Sequence, residues 1–72
     1  MPTTAKYTAT RIGATIRKLR LKNGLTQTQL GEKIGTTKAR ICRWESGVYV
    51  PRLHVLAAIA KAMNCDLSEI IS

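Results

Sequence analysis

Apolar positions in this chain recur every three or four residues, the spacing that places side chains on one face of an α-helix. Ile12, Ile16 and Leu19 mark a first helix over residues 11–23. Leu30 and Ile34 mark a second over 27–34, and Ile41 and Trp44 a third over 38–45. Leu53, Leu56, Ile59, Ala60 and Met63 trace a fourth over 53–63, with Ala57, Ala58 and Ala62 leaving room for close helix packing. Leu67, Ile70 and Ile71 give a fifth, over 67–71, two apolar sides, one to close the core and one free to meet a second subunit. The pattern predicts an all-α fold of five helices, no strands and short connections.

The residues between these runs punctuate them. Asn23-Gly24 ends the first helix, and Leu25 follows as an apolar plug that staples against Leu30. Thr26 with Gln29 three residues on is a capping-box pair for the second helix. Gly35 ends that helix where a left-handed residue is needed, and Thr37 caps the next. Ser46-Gly47 closes the third helix. Val50, ahead of Pro51, is held extended. Asp66 caps the last helix, with Glu69 at its third position. Gly31, inside the second helix, costs about 1 kcal/mol of propensity relative to alanine. It makes sense where another backbone comes close as the third helix crosses the second.

Residues 25–47 therefore read as two short helices around a tight turn. Ile41 and Trp44 point inward and leave Lys38, Arg40 and Arg43 on the flanks and outer face. A stiffly held helix with a basic outer side suits the major groove of DNA. This predicts a helix-turn-helix with residues 37–44 as its recognition helix.

Length allows one domain, here 11–72. The threonine-rich residues 1–10 read as a flexible arm: a frayed terminus, or, through Lys6 and Tyr7, a basic arm that wraps a duplex or enters its minor groove. With 44% hydrophobic residues and no phenylalanine, the core is built from aliphatic side chains around Trp44. Twelve Lys and Arg against four Asp and Glu give a net charge of +8, a field that draws in polyanions. A membrane ranks low, because the apolar positions are committed to a small core and none forms a spanning run. Residues 1–10 lack the apolar segment of a secretory leader. Cys42 and Cys65 stand too far apart, beside a single histidine, for a zinc site. They read as reduced, partly buried thiols of a cytoplasmic protein, with no metal and no cofactor. An enzyme is excluded on similar grounds: His54 has no acid partner nearby and neither cysteine has a base. A small helical core offers no deep pocket for a small-molecule ligand.

From Ile12 to Ile71 the chain resembles the Cro and phage-repressor family of helix-turn-helix domains, the five-helix fold of lambda-type and 434-type repressors. The resemblance rests on Ile16, Arg17 and Arg20 in an I-R-x-x-R pattern, Gly-Leu-Thr-Gln at 24–27, Gly-Thr-Thr at 35–37, Trp-Glu-x-Gly at 44–47, Pro51, and the spacing of Leu56, Ile59, Ala60 and Met63. It implies an ion pair between Arg20 and Glu45 that holds the recognition helix against the first helix. It assigns base reading to Lys38, Ala39 and Arg43, and a phosphate contact to Gln27. Thr37 and Arg40 fall at backbone-contacting positions, and Arg52 lies over the backbone near the minor groove between half-sites. Lys38 and Ala39 stand where well-known members carry glutamines, so the operator differs. Gly31 replaces an alanine, and the loop after Gly47 is short.

The function so implied is a double-stranded DNA-binding transcriptional regulator, a repressor that binds a palindromic operator as a homodimer. The alternative on the same fold is an antitoxin or an adaptor of the transcription machinery, with residues 48–50 or Ile70-Ile71 as its protein interface.

Overall fold

The computed structural model describes residues 3–71, with side chains from Ala9 onward. Five helices run in order: α1 (Thr3–Lys22), α2 (Gln27–Ile34), α3 (Lys38–Glu45), α4 (Leu53–Ala62) and α5 (Leu67–Ile71). α3 packs against both α1 and α2, α4 packs against α2, and α5 bridges α4 back to α1. The core these contacts enclose draws on every helix: Ile12, Ile16, Leu30, Ile41, Trp44, Leu56, Ile59, Ala60, Met63 and Ile70. Among the described residues no helix is long and apolar enough to cross a membrane.

α1 begins at Thr3, eight residues ahead of the expected start at Arg11. The threonines that suggested an irregular arm are weak helix formers, but Ala9 continues the Ile12 and Ile16 stripe and is itself buried. A Cβ placed on Gly47 would lie 3.1 Å from the Thr10 Cα, so this part of α1 is seated on the end of α3. The side chains of Lys6 and Tyr7 lie outside the described residues.

Two further positions differ from the sequence reading. Leu53 was expected on the core face of α4 and is 65% exposed. It is the first residue of that helix, and the turn it belongs to stands clear of a core whose edge there is Pro51 and Leu56, both buried. Cys42 is exposed, whereas Cys65 is half-buried as expected. One position after Ile41, Cys42 is carried round to the solvent side of α3.

Candidate nucleic-acid interface

The turn between α2 and α3 is fixed by local chemistry. The Thr26 hydroxyl accepts from the Gln29 amide at 3.0 Å, and the Gln29 side chain accepts from the Thr26 amide at 2.8 Å. Gly35 takes a left-handed conformation with φ 75° and ends α2. The chain then doubles back so closely that a Cβ on Gly31 would sit 2.9 Å from the Thr36 carbonyl oxygen. The close backbone expected at Gly31 is thus the turn itself. Thr37 accepts from the Arg40 amide at 3.3 Å and starts α3.

Behind α3 lies an ion pair. Arg20 donates from Nε to one Glu45 oxygen at 2.6 Å and from its terminal nitrogen to the other at 3.0 Å. Its remaining terminal nitrogen donates to the Leu25 carbonyl at 2.8 Å. Gln27 adds a bond from Nε2 to Glu45 Oε1 at 3.1 Å. The two charged side chains are 7% and 3% exposed, so their charges are neutralised by each other rather than by water. Hydrogen bonding to Glu45 outweighs burial and holds the Arg20 guanidinium above its ordinary pKa. The pair that the family resemblance implied is present, bidentate and buried.

The outward side of α3 is different. Thr37, Lys38, Ala39, Arg40 and Arg43 are all exposed. Among the described residues the side chains of Lys38, Arg40 and Arg43 form no hydrogen bond or ion pair. Where α1, α2 and α3 meet, a groove of about 720 Å³ is walled by Arg17, Gln27 and Lys38 and floored by Leu25 and Thr26. Gln27 uses one N–H of its amide on Glu45, and a primary amide has two. Gln27 and Thr28, in the first turn of α2, line this groove, and helix N-termini favour anions. Arg52 caps α4 with no side-chain bond of its own and is exposed.

Sequence reasoning missed Arg17 as a wall of this groove. Its signal was its place one turn before Arg20, on the side of α1 that α3 approaches. It also missed Gly13, where a Cβ would run into the Trp44 carbonyl oxygen. The Gln27–Glu45 bond joins residues eighteen positions apart and left no mark in spacing.

The comparisons with known proteins agree with this geometry. A family model described as helix-turn-helix matches residues 16–70. A competence pilus inhibition repressor of Acinetobacter baylyi is 39% identical over 59 residues, which cover 82% of this chain and 54% of the repressor. The transcriptional activator BcrR of Enterococcus faecalis is 33% identical over 57 residues, covering 79% of this chain and 28% of the activator. The chain thus spans between about a quarter and about half of these two relatives. Among solved structures, the P22 c2 repressor in complex with a synthetic operator superposes with a TM-score of 0.79 at 30% identity, over 85% of this chain and 92% of that one. On the matched span, the buried pair and the two capped helices, the chain belongs to the Cro/C1-type helix-turn-helix family HTH_3, a family of DNA-binding transcriptional regulators.

Proposed function

We propose that the protein is a sequence-specific regulator of transcription that acts as a repressor by occupying its operator. The observation that carries this reading is α3 itself: fixed from behind by Ile41, Trp44 and Glu45, and presenting Lys38, Ala39 and Arg43 exposed, with no hydrogen-bond or ion-pair partner for their side chains among the described residues. Arg43 or Lys38 bonds guanine O6 and N7, and the Ala39 methyl meets a thymine methyl. Gln27, Thr37, Arg40 and Arg52 hold the phosphates, joined by Arg17. One α3 touches too few bases for strong discrimination. Two copies therefore sit on a near-palindromic site with their recognition helices about 34 Å apart, one turn of DNA. The P22 c2 repressor, 30% identical to this chain, is bound to a synthetic operator in its crystal structure, which supports this reading.

A second reading has one observation in its favour. Val48, Tyr49, Val50 and Leu53 are 39–65% exposed around the α3–α4 connection, a surface that suits an antitoxin or an adaptor with a protein partner.

Selection of bound duplexes from a random pool, followed by titration of the winner and a scrambled control at several salt concentrations, separates the two. A regulator prefers the winner by about 10³-fold or more. Equal, salt-steep binding to all duplexes overturns sequence reading and favours the accessory role.

A further inference from the structure

α3 has two flanks, and only one of them carries the groove of Arg17, Gln27 and Lys38. The other flank, toward α4, holds a smaller and more enclosed cleft of about 250 Å³. Ile34, Trp44 and Val55 form its apolar walls, and Thr36, Arg40 and His54 its polar rim. We propose that this cleft is a second phosphate subsite. In it Arg40 and His54 hold a backbone phosphate of the DNA strand opposite the one met at the Arg17–Lys38 groove. The inference rests on the reading of α3 as the groove-entering helix and names a contact residue which that reading does not include.

The major groove is about 12 Å wide and bounded by a phosphate ridge on either side. A helix seated in it meets one ridge with each flank. The first flank answers with Arg17 and Lys38. On the second, the side chains able to answer are Arg40 of α3 and His54 of α4, both exposed and both on the cleft. Among the described residues no acidic side chain lines the cleft, whereas Glu45, on the first flank, is saturated by Arg20 and Gln27. Thr36, half-buried at the turn, contributes a hydroxyl. The apolar walls and the indole of Trp44 lower the local dielectric and strengthen any charge pair formed at the rim.

Spacing gave His54 no neighbour, and Arg40 is fourteen positions away. The fold puts the two on one opening. Arg40 is the one other charged side chain lining the cleft among the described residues, and Arg52 stands two positions before His54 on α4. Both stay cationic throughout the range in which imidazole titrates. A phosphate seated between Arg40 and His54 favours the protonated ring, so binding takes up a proton and tightens as pH falls.

The test measures affinity for a random-sequence pool of duplexes roughly 30 base pairs long, at about pH 6 and about pH 8 over a range of salt. The chains compared are the wild type, H54Q, H54K and R40Q. The wild type tightens by about twofold to fivefold at the lower pH, the effect of one exposed charge pair. H54Q loses that gain, and H54K holds it at both pH values. R40Q weakens binding at both. The wild-type salt slope steepens by about 0.9 at the lower pH and that of H54Q does not. Both positions changed are exposed, and thermal melts confirm that each variant folds. H54Q tracking the wild type in both pH and salt overturns the subsite. Equal affinity for the selected and the scrambled duplex, with the pool result as expected, defeats the base-reading assignment and leaves the cleft standing. A pool not bound at all overturns both.

Discussion

The two sides of α3 are made of opposite materials. Its inner side is overdetermined. Ile41 is 0% and Trp44 4% exposed, and Glu45 accepts two bonds from Arg20 of α1 and one from Gln27 of α2. The Trp44 carbonyl presses on Gly13 of α1 with no room for a methyl group. Its outer side, Lys38, Ala39 and Arg43, is exposed, and its charged side chains form no hydrogen bond or ion pair among the described residues. Eight residues thus carry two separable jobs. Substitutions on the inner side register as lost folding, and those on the outer side as lost binding.

The inner side gives the largest expected effect. Glu45→Ala strands the Arg20 guanidinium, with only the Leu25 carbonyl left to it, in a buried site. The cost is about 3–5 kcal/mol, a large share of the roughly 5–15 kcal/mol that a domain has in total. The double variant Arg20→Met with Glu45→Leu removes both charges, and chemical denaturation places it well above Glu45→Ala in stability. Equal losses in the two variants would mean that the pair contributes shape and not charge compensation. Because Arg20 titrates above its ordinary value in the folded chain, its contribution is complete at every pH below the usual arginine range. It is lost only as pH rises beyond that range. Denaturation midpoints therefore show no Arg20-linked change around neutrality.

Gly13→Ala comes next, at about 2–3 kcal/mol. The atom in the way is a backbone oxygen of α3, which moves only if the helix does. Unfolding by urea measures the loss. A variant as stable as the wild type would show that α1 and α3 slide apart freely, and the inner side would then not be rigid.

These residues also show what could be read in advance. The caps at Thr26 and Thr37, the left-handed Gly35 and the core stripe depend on neighbours within four positions, so spacing alone located them. The Arg20–Glu45 pair spans twenty-five positions and came from family resemblance, since periodicity carries no information at that range. Gly13 was invisible because its reason is a carbonyl on another helix. The start of α1 was missed because the threonines argue locally against helix, while burial of Ala9 and the Thr10–Gly47 contact are tertiary. Leu53 was misplaced for the complementary reason: it has the right period, in a turn with nothing over it. Exposure of the basic positions on α3 followed from periodicity. Their division between two flanks, with Arg17 on one and His54 on the other, required the fold.

The outer side predicts effects on binding alone. Arg43→Ala loses about 1–3 kcal/mol on the preferred duplex, concentrated at one base pair per half-site. Its unfolding free energy stays within about 0.5 kcal/mol of the wild type. A loss spread evenly over all sequences would move Arg43 from the base edges to the backbone. A loss of stability would break the division between the two sides.

The smallest effect is kinetic and uses the two thiols as reporters. Cys42 is exposed on α3 next to Arg43, whereas Cys65 is half-buried after α4. Burial, reinforced by Glu69 and Asp66 and opposed by Lys22, pushes the Cys65 thiol pKa up. Alkylation proceeds through the thiolate, so in the free protein Cys42 reacts faster, by about tenfold given its exposure. Saturating duplex slows Cys42 and leaves Cys65 unchanged, because only α3 enters the groove. Equal slowing of both would indicate a general tightening of the domain on binding rather than contact at α3. An unchanged Cys42 rate on a saturated duplex would place the DNA on some other face, and with it the base-reading role of Lys38, Ala39 and Arg43 would fall.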